Sequence, residues 1–215
     1  MVKKETPAIV VIGDLVRSRD APDRANVHAR LRAALDAVND ELSPDDPLRV
    51  TAGDEYQGTF GRLGDALAAT LRLRLALLPE LDVRHGIGEG PVVLLQREPR
   101  VEDGPGWWVA RAAIEEAASR GGKSATREVR TAFHRVEGLD GPEVEMVNAA
   151  LIGRDGLVGA MSGRSLSVLR GLLAGRTQQE IAAAEGVSAS AVSQRVRNDG
   201  VGLVVAMDER MRRVG

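Results

Sequence analysis

The chain has 215 residues, enough for one large domain and a smaller one, and its 43% hydrophobic and 28% charged residues are usual for a globular protein. The absence of cysteine excludes disulfide bonds and thiolate metal sites. No apolar run is long enough to span a membrane, and the first residues do not read as a signal peptide, so we expect a cytoplasmic protein. The net charge of −2 is uneven, because the segment from Met161 onward carries eight Arg against five acidic residues.

The first 136 residues alternate between strand-like and helix-like patterns. Apolar side chains three and four positions apart, as at Val27, Leu31 and Leu35, indicate an amphipathic helix. The predicted segments are a strand at 8–12, a helix at 23–42, a hairpin at 48–60, a helix at 64–78, a strand pair at 83–95, a helix at 107–119 and a strand at 126–136. This order predicts an α+β fold, a ferredoxin-like palm with an antiparallel or mixed sheet and with helices on one face.

Acidic residues follow an apolar strand at two places in this region. Gly13-Asp14-Leu15 ends the first strand, and Gly53-Asp54-Glu55 forms the tip of the hairpin. The predicted fold brings both strand ends to one edge of the sheet, with Asp14 and Asp54 side by side. Carboxylate oxygens are preferred ligands of Mg²⁺, which often accompanies phosphate. The residues therefore predict a metal site at Asp14, Asp54 and Glu55, although Gly-Asp also simply makes turns at strand ends.

Arg17, Ser18 and Arg19 lie in the loop between the first strand and the first helix. The backbone N–H groups at the start of that helix and the two guanidinium groups suit phosphate oxygens. We therefore predict Arg17, Ser18 and Arg19 as phosphate contacts.

Four motifs stand out along the chain. They are Val10–Arg19, Gly53–Gly58, Arg84–Gly90, and Asp103-Gly104-Pro105 followed by Trp108 and Ala110-Arg111. In this order they resemble the SatD family, which is bacterial and of unassigned biochemical function. The resemblance spans most of the chain.

The same motifs are more distantly similar to the palm domains of class III nucleotide cyclases and GGDEF diguanylate cyclases. That resemblance implies metal ions held by Asp14 and Asp54 between the protein and a nucleoside triphosphate. It also implies an Asn and an Arg on the following helix, where this chain has Trp108 and Ala112, with Arg111 one position away. We therefore predict binding of a purine nucleotide with Mg²⁺ or Mn²⁺, with Arg111 among its contacts, and expect binding without turnover.

From Pro142 onward the pattern is wholly helical. A connecting helix is predicted at 143–158. We place a domain boundary at its end, so that the palm domain comprises residues 1–158 and a small all-α domain comprises residues 159–215.

The C-terminal domain carries the pattern of a helix-turn-helix. Thr177 and Glu180 form a capping box, Gly186 supplies a left-handed turn residue, and Ser188 caps the second helix. Apolar Val192 takes the position between the two helices. The segment resembles the helix-turn-helix of sigma-factor-like and response-regulator DNA-binding domains.

The second helix of this motif presents a polar face. Its residues are Ser190, Ala191, Gln194, Arg195 and Arg197. Gln suits adenine, and Arg suits guanine or phosphate. We therefore predict DNA as a partner, contacted by a homodimer that reads two half-sites. The alternative is that this small domain mediates dimerisation or binds a peptide.

Together these features predict a cytoplasmic DNA-binding regulator whose palm domain binds a purine nucleotide with Mg²⁺. A second interpretation is a metal-dependent nucleotidyl-transfer or cyclase-like enzyme with Asp14 and Asp54 as metal ligands. A third is a degenerate palm that serves as a protein-interaction scaffold.

Overall fold

The computed structural model describes residues 7–17, 23–98 and 100–215. The elements in these ranges are β1 (Pro7–Leu15), α1 (Arg24–Leu42), β2 (Asp46–Ala52), β3 (Glu55–Phe60), α2 (Leu63–Leu77), β4 (Val83–Pro91), β5 (Val93–Gln96), β6 (Val101–Asp103), α3 (Pro105–Gly121), β7 (Thr131–Arg135), α4 (Val144–Gly159), α5 (Gly163–Leu173), α6 (Gln178–Glu185), α7 (Ala189–Asn198) and α8 (Val201–Met211). Within the same ranges, no helix has the length and apolar character needed to cross a membrane.

The main sheet has five strands in the order β2-β3-β1-β4-β7. The central strand β1 runs antiparallel to β3 and β4, whereas β4 and β7 are parallel. The first four strands with α1 and α2 have the ferredoxin-like order, and α3 leads across to β7 as the fifth strand. β5 and β6 form a separate hairpin. The predicted α+β palm with a mixed sheet is confirmed.

Helices cover both faces of this sheet. Ile9 and Val11 of β1 pack with α1 and α2, while Val10 and Ile12 pack against α3. The prediction that the helices lie on one face was wrong, because α3 covers the opposite face. The uninterrupted apolar run of β1 is typical of a strand that is buried on both sides.

The close approach of α3 depends on two glycines of β4. A Cβ atom at Gly86 would lie 2.2 Å from the backbone oxygen of Ala110, and one at Gly88 would lie 2.4 Å from that of Gly106. No larger residue fits at either position without moving the helix. In the sequence these glycines occupy the non-apolar positions of an alternating strand, a pattern that is typical of a solvent-exposed face. The pattern therefore does not predict the helix that covers them.

Most predicted boundaries agree with the structure to within a few residues. α1 begins at Arg24, after an Asp23 side chain that accepts a hydrogen bond from the backbone N–H of Asn26. The predicted strand at 126–136 is shorter, because only Thr131–Arg135 pairs with the sheet. The residues before it form a 3-10 turn at Ser124–Thr126 and a loop.

The helices from α4 onward pack directly on the sheet and on α2. On α4, the Asn148 side chain forms hydrogen bonds with both backbone groups of Phe133 in β7, at 2.8 and 2.9 Å. Leu71 and Leu75 of α2 share one apolar cluster with residues of α5 to α8 such as Leu169. The palm and the C-terminal helices therefore share α2 as a packing surface. The division into domains 1–158 and 159–215 stays a prediction.

Candidate functional site

The end of β1 forms one edge of the sheet together with the tip of the β2–β3 hairpin and the start of β4. In the antiparallel registers, Gly13 lies opposite Tyr56 of β3, and Asp14 lies opposite Arg84 of β4. Because Glu55 begins β3, the acidic hairpin tip comes to the same edge as Asp14.

Asp14 forms a double hydrogen-bonded ion pair with Arg84. Nε and Nη2 of Arg84 each donate to a different oxygen of Asp14, both at 2.9 Å. Partial burial raises the pKa of the Asp14 carboxyl, Arg84 opposes this shift, and the charges of Asp54 and Glu55 add to it. Asp14 is therefore close enough to both hairpin carboxylates to be repelled by them.

Glu55 is held in the same way by Arg111 of α3. Nη1 and Nη2 of Arg111 donate to the two Glu55 oxygens at 3.0 and 2.8 Å. These hydrogen bonds and the charge of Glu55 raise the pKa of Arg111. Arg111, which we predicted as a nucleotide contact, thus lies at the edge but faces a carboxylate. Trp108, almost one turn earlier, is 62% exposed and donates from Nε1 to Asp103 at 2.9 Å.

The chemistry of the three carboxylates suits a hard cation, but their arrangement does not form a metal centre. Both oxygens of Asp14 accept from Arg84, and both oxygens of Glu55 accept from Arg111. In the part of the chain that the structure describes, no group of three or more His, Cys, Asp or Glu side chains is placed to hold a metal ion. Guanidinium groups thus neutralise Asp14 and Glu55 in this geometry, and Mg²⁺ stays a prediction.

A buried tyrosine–histidine pair lies directly behind these charges. The Tyr56 hydroxyl is 2.8 Å from Nε2 of His85, and the Tyr56 ring covers Gly13, where a Cβ atom would lie 2.2 Å from it. Burial raises the pKa of Tyr56 and lowers that of His85, so both side chains are neutral at pH 7. Sequence reasoning missed this pair and also Arg84, because only the strand register shows which residues are neighbours.

Arg84 also lines a cleft of about 890 Å³. Its walls come from the end of β1, the start of α1, the loop before β4, the end of α3 and the segment before β7. The arginines among its lining residues are Arg17, Arg84, Arg127 and Arg130. Ser18 and Arg19, the other two predicted phosphate contacts, lie outside the described residues. Asp54 lines a separate cavity of about 120 Å³ between the hairpin tip and the start of α1.

The α6–α7 pair has the caps that the sequence predicts. The Thr177 hydroxyl accepts from the backbone N–H of Glu180 at 3.2 Å, and the Glu180 carboxylate accepts from that of Thr177 at 2.7 Å. Gly186 is left-handed with φ 64°, and the Ser188 side chain accepts from the backbone N–H of Ala191. The turn between the helices is therefore fixed by contacts within a few residues.

Of the predicted DNA contacts, Ser190, Gln194 and Arg197 lie on the side of α7 opposite Val192, the only buried residue of this helix, whereas Arg195, three positions after Val192, lies on the same side as Val192. Ser190, Gln194 and Arg197 are exposed, whereas Ala191 and Arg195 are half-buried. Arg195 Nη1 lies 3.6 Å from a carboxylate oxygen of Asp199. The structure thus leaves most of this face open.

The fold and the site define a palm-like domain, with carboxylates neutralised by arginines at one sheet edge, joined to a helical C-terminal segment. The family model described as "SatD family" matches residues 8–212. The protein therefore belongs to the SatD family, as its four motifs predicted. A comparison with curated proteins found no match.

Several solved structures of nucleotide cyclases are similar to the palm. The guanylyl cyclase domain of the RhoGC fusion protein from the aquatic fungus Blastocladiella emersonii is 17% identical, with a TM-score of 0.45, over 53% of this chain and 77% of that one. The adenylyl cyclase CyaB from P. aeruginosa is 12% identical, with a TM-score of 0.40, over 53% of this chain and 73% of that one. A bacterial light-regulated adenylyl cyclase is 11% identical, with a TM-score of 0.43, over 55% of this chain and 42% of that one. At such identities the similarity concerns the fold alone.

Proposed function

We propose that the protein is a cytoplasmic DNA-binding regulator whose palm domain binds a purine nucleotide with Mg²⁺. The observation that carries the proposal is the sheet edge, where three carboxylates and two arginines meet beside a cleft of about 890 Å³. Cavities of this volume hold small molecules, and a guanidinium that is paired with a carboxylate also suits a phosphate.

The charges at this edge suit a ligand that carries both signs. The arginines fit phosphate oxygens, and the carboxylates fit a hard cation. Burial raises the pKa of Asp14 in spite of Arg84, and the negative charges of Asp54 and Glu55 add to this shift. A further positive group near Asp14 would therefore be stabilising, which is the support for including Mg²⁺.

Calorimetric titration of ATP and GTP, each with Mg²⁺ and with EDTA, tests the palm part of the proposal. We expect metal-dependent binding in the wild type and its loss in the Asp14→Asn/Asp54→Asn variant. The control is Asp36→Asn/Asp40→Asn, which makes the same change of charge on exposed positions of α1. Absence of binding at millimolar nucleotide would reject the nucleotide site.

The open face of α7 supports the DNA part of the proposal. Gln194 and Arg197 are exposed on the helix that would enter the major groove. Such a motif commonly reads two half-sites, so the proposal includes a homodimer.

Fluorescence anisotropy with labelled duplex DNA at low salt measures this contact, because phosphate contacts are strongest there. We expect Gln194→Ala/Arg197→Ala to weaken binding about tenfold. Arg32→Ala, an exposed arginine of α1, is the matched control and should bind as the wild type does. A wild type without affinity for any duplex at low salt would reject the DNA part.

A metal-dependent nucleotidyl-transfer or cyclase-like enzyme is the second candidate. The gathering of Asp14, Asp54 and Glu55 favours it. The positions that the cyclase pattern reserves for Asn and Arg hold Trp108 and Ala112, which speaks against cyclisation. Chromatography of ATP and GTP after long incubation with Mn²⁺ decides: turnover that disappears in Asp54→Asn would establish the enzyme, and intact nucleotides would exclude it.

A further inference from the structure

The cleft of about 890 Å³ brings charges of both signs together from distant parts of the chain. Its arginines are Arg17, Arg84, Arg127 and Arg130, and its acidic residues are Asp23, Glu80, Asp82 and Glu128. The pairing of these groups therefore decides what kind of ligand the cleft favours.

Two of the four acidic residues are bound only to groups other than the cleft arginines, whereas Asp82 also binds Arg130 and Glu128 pairs with Arg127. Asp23 accepts from the backbone at the start of α1, at 2.9 Å. Glu80 pairs with Arg30 at 3.1 Å, and Asp82 accepts from the buried Arg74 at 2.9 Å. Glu80 and Asp82 thus have arginine partners that lie outside the cleft.

A buried ionic network, with more positive than negative groups, lies behind the wall of the cleft. Asp82 is shared by Arg74 and Arg130, at 2.9 and 2.7 Å. Asp155 accepts from the backbone N–H of Arg130 at 2.8 Å and lies 3.5 Å from both Arg74 and Arg154. Three guanidinium groups thus share two carboxylates, and Nε of Arg154 has no hydrogen-bond partner among the described residues. An anion in the cleft beside Arg130 would supply the missing negative charge.

Arg17 and Arg127 add two exposed guanidinium groups, of which Arg127 forms an exposed ion pair with the neighbouring Glu128 at 3.0 Å. Arg17 has a left-handed backbone with φ 58°, which costs about 1 kcal/mol or more for a residue with a Cβ atom and nothing for glycine. A strained arginine at the wall of a cleft indicates a functional requirement, because folding alone would favour glycine there.

From these observations we infer that the cleft binds the phosphate group of a small ligand through Arg17, Arg127 and Arg130, without a metal ion. The inference deepens the proposed function and rests on it in one respect, namely that the ligand carries phosphate. It differs from the predicted metal site because its positive charges come from side chains alone.

The same network connects the cleft to the C-terminal helices. Asp155 lies on α4, and Arg170 of α5 donates to the backbone oxygens of Leu75 and Leu78, just before the loop that lines the cleft. A phosphate that binds the Arg130 guanidinium competes with Asp82, which also binds Arg74, and Arg74 in turn donates to the backbone of Asp155. Binding of a ligand in the cleft therefore changes the contacts of the helices that precede α6 and α7. This coupling provides a physical route for regulation.

Calorimetric titration with pyrophosphate in EDTA isolates this site from any metal-dependent one. We expect binding to the wild type, and dissociation constants about tenfold larger for Arg17→Gly and for Arg127→Ala, since each loses a charged hydrogen bond. Both positions are exposed, and glycine fits the backbone of residue 17, so both variants should fold. Arg32→Ala and Asp36→Asn, both at exposed positions of α1, are the controls and should bind as the wild type does.

Repeating the titration with inorganic phosphate and with ATP in EDTA distinguishes the sources of the phosphate group. Competition between ATP and pyrophosphate would assign the cleft to a nucleotide, and binding of pyrophosphate alone would assign it to a smaller phosphate compound. Absence of binding by all three probes, or equal affinities in wild type and both arginine variants, would overturn the inference. Mg²⁺-dependent ATP binding that is lost only in Asp14→Asn/Asp54→Asn would then leave the proposed function standing by itself.

Discussion

Polar contacts in the helix-turn-helix segment join residues three positions apart, whereas those at the sheet edge join residues 70 and 56 positions apart. Thr177 and Ser188 cap helices with their own neighbours in the sequence. Asp14 and Glu55 are neutralised by arginines that only the folded sheet and α3 bring to them. The first region is therefore built from local preferences, and the second depends on the strand register. Substitutions should separate the two kinds of stabilisation.

The largest effect is expected between these two regions, at the buried Arg74 of α2, which joins the loop before β4 to α4. Arg74→Ala removes the guanidinium that binds Asp82 and the backbone of Asp155, and breaking such a buried network costs about 3–5 kcal/mol of unfolding free energy. Urea unfolding followed by tryptophan fluorescence measures it. The exposed Arg32→Ala should change stability by less than about 0.5 kcal/mol. A similarly small loss for Arg74→Ala would show that this buried network contributes little to stability.

The next effect is a pH dependence that originates behind the sheet edge. The pKa of His85 lies well below 6.5 in the folded protein because of burial, with Arg154 and Arg74 adding to the shift. Between pH 6.5 and the lower pKa of the folded state, the unfolded chain binds a proton at His85 that the folded protein does not bind. The stability that is present above pH 6.5 is therefore lost on acidification. We expect unfolding free energy to fall by up to about 1.4 kcal/mol per pH unit from this group between pH 6.5 and 5.

Urea unfolding at several pH values measures this slope, with His85→Gln as the variant that cannot titrate. The variant should show a flatter dependence, even if it is less stable at pH 7. Identical slopes for both proteins would contradict a buried neutral His85.

A smaller effect is expected in the helix-turn-helix, where stabilisation is local. Thr177→Ala removes the side chain that caps α6 and should cost about 1 kcal/mol of unfolding free energy. Ser119→Ala, at an exposed position within α3, should cost nothing, since alanine favours helix interiors. Thermal unfolding of both variants tests this, and equal melting temperatures would show that the cap is dispensable.

The smallest effect is expected at Asp14, and its sign is informative. Because burial raises the pKa of Asp14, the ionised form is less favourable in the folded protein than in the unfolded chain at neutral pH. Asp14→Asn should therefore leave stability unchanged or raise it by a few tenths of a kcal/mol, given that the side chain is 31% exposed. A melting temperature well below that of Asp36→Asn would identify the Asp14–Arg84 pair as structural.

Much of the architecture could be predicted from periodicity and turn residues. The alternating elements, the caps of α6 and α7 and the buried Val192 all follow from short-range patterns. The covering of the second sheet face by α3 was missed, since Gly86 and Gly88 leave no apolar signal in the sequence where a helix approaches. The acidic residues of the edge could be named in advance, but their arginine partners could not.

The sequence by itself determined the strand–helix order, the helix-turn-helix and the family, because these depend on contacts within a few residues and on motifs in a fixed order. Only the tertiary structure decided that Asp14 and Glu55 bind Arg84 and Arg111, that Tyr56 reaches His85 across Gly13, and that Arg17 shares a cleft with the segment before β7. Those partners lie far apart in the chain, and a change of register by one residue would turn each side chain to the opposite face of the sheet.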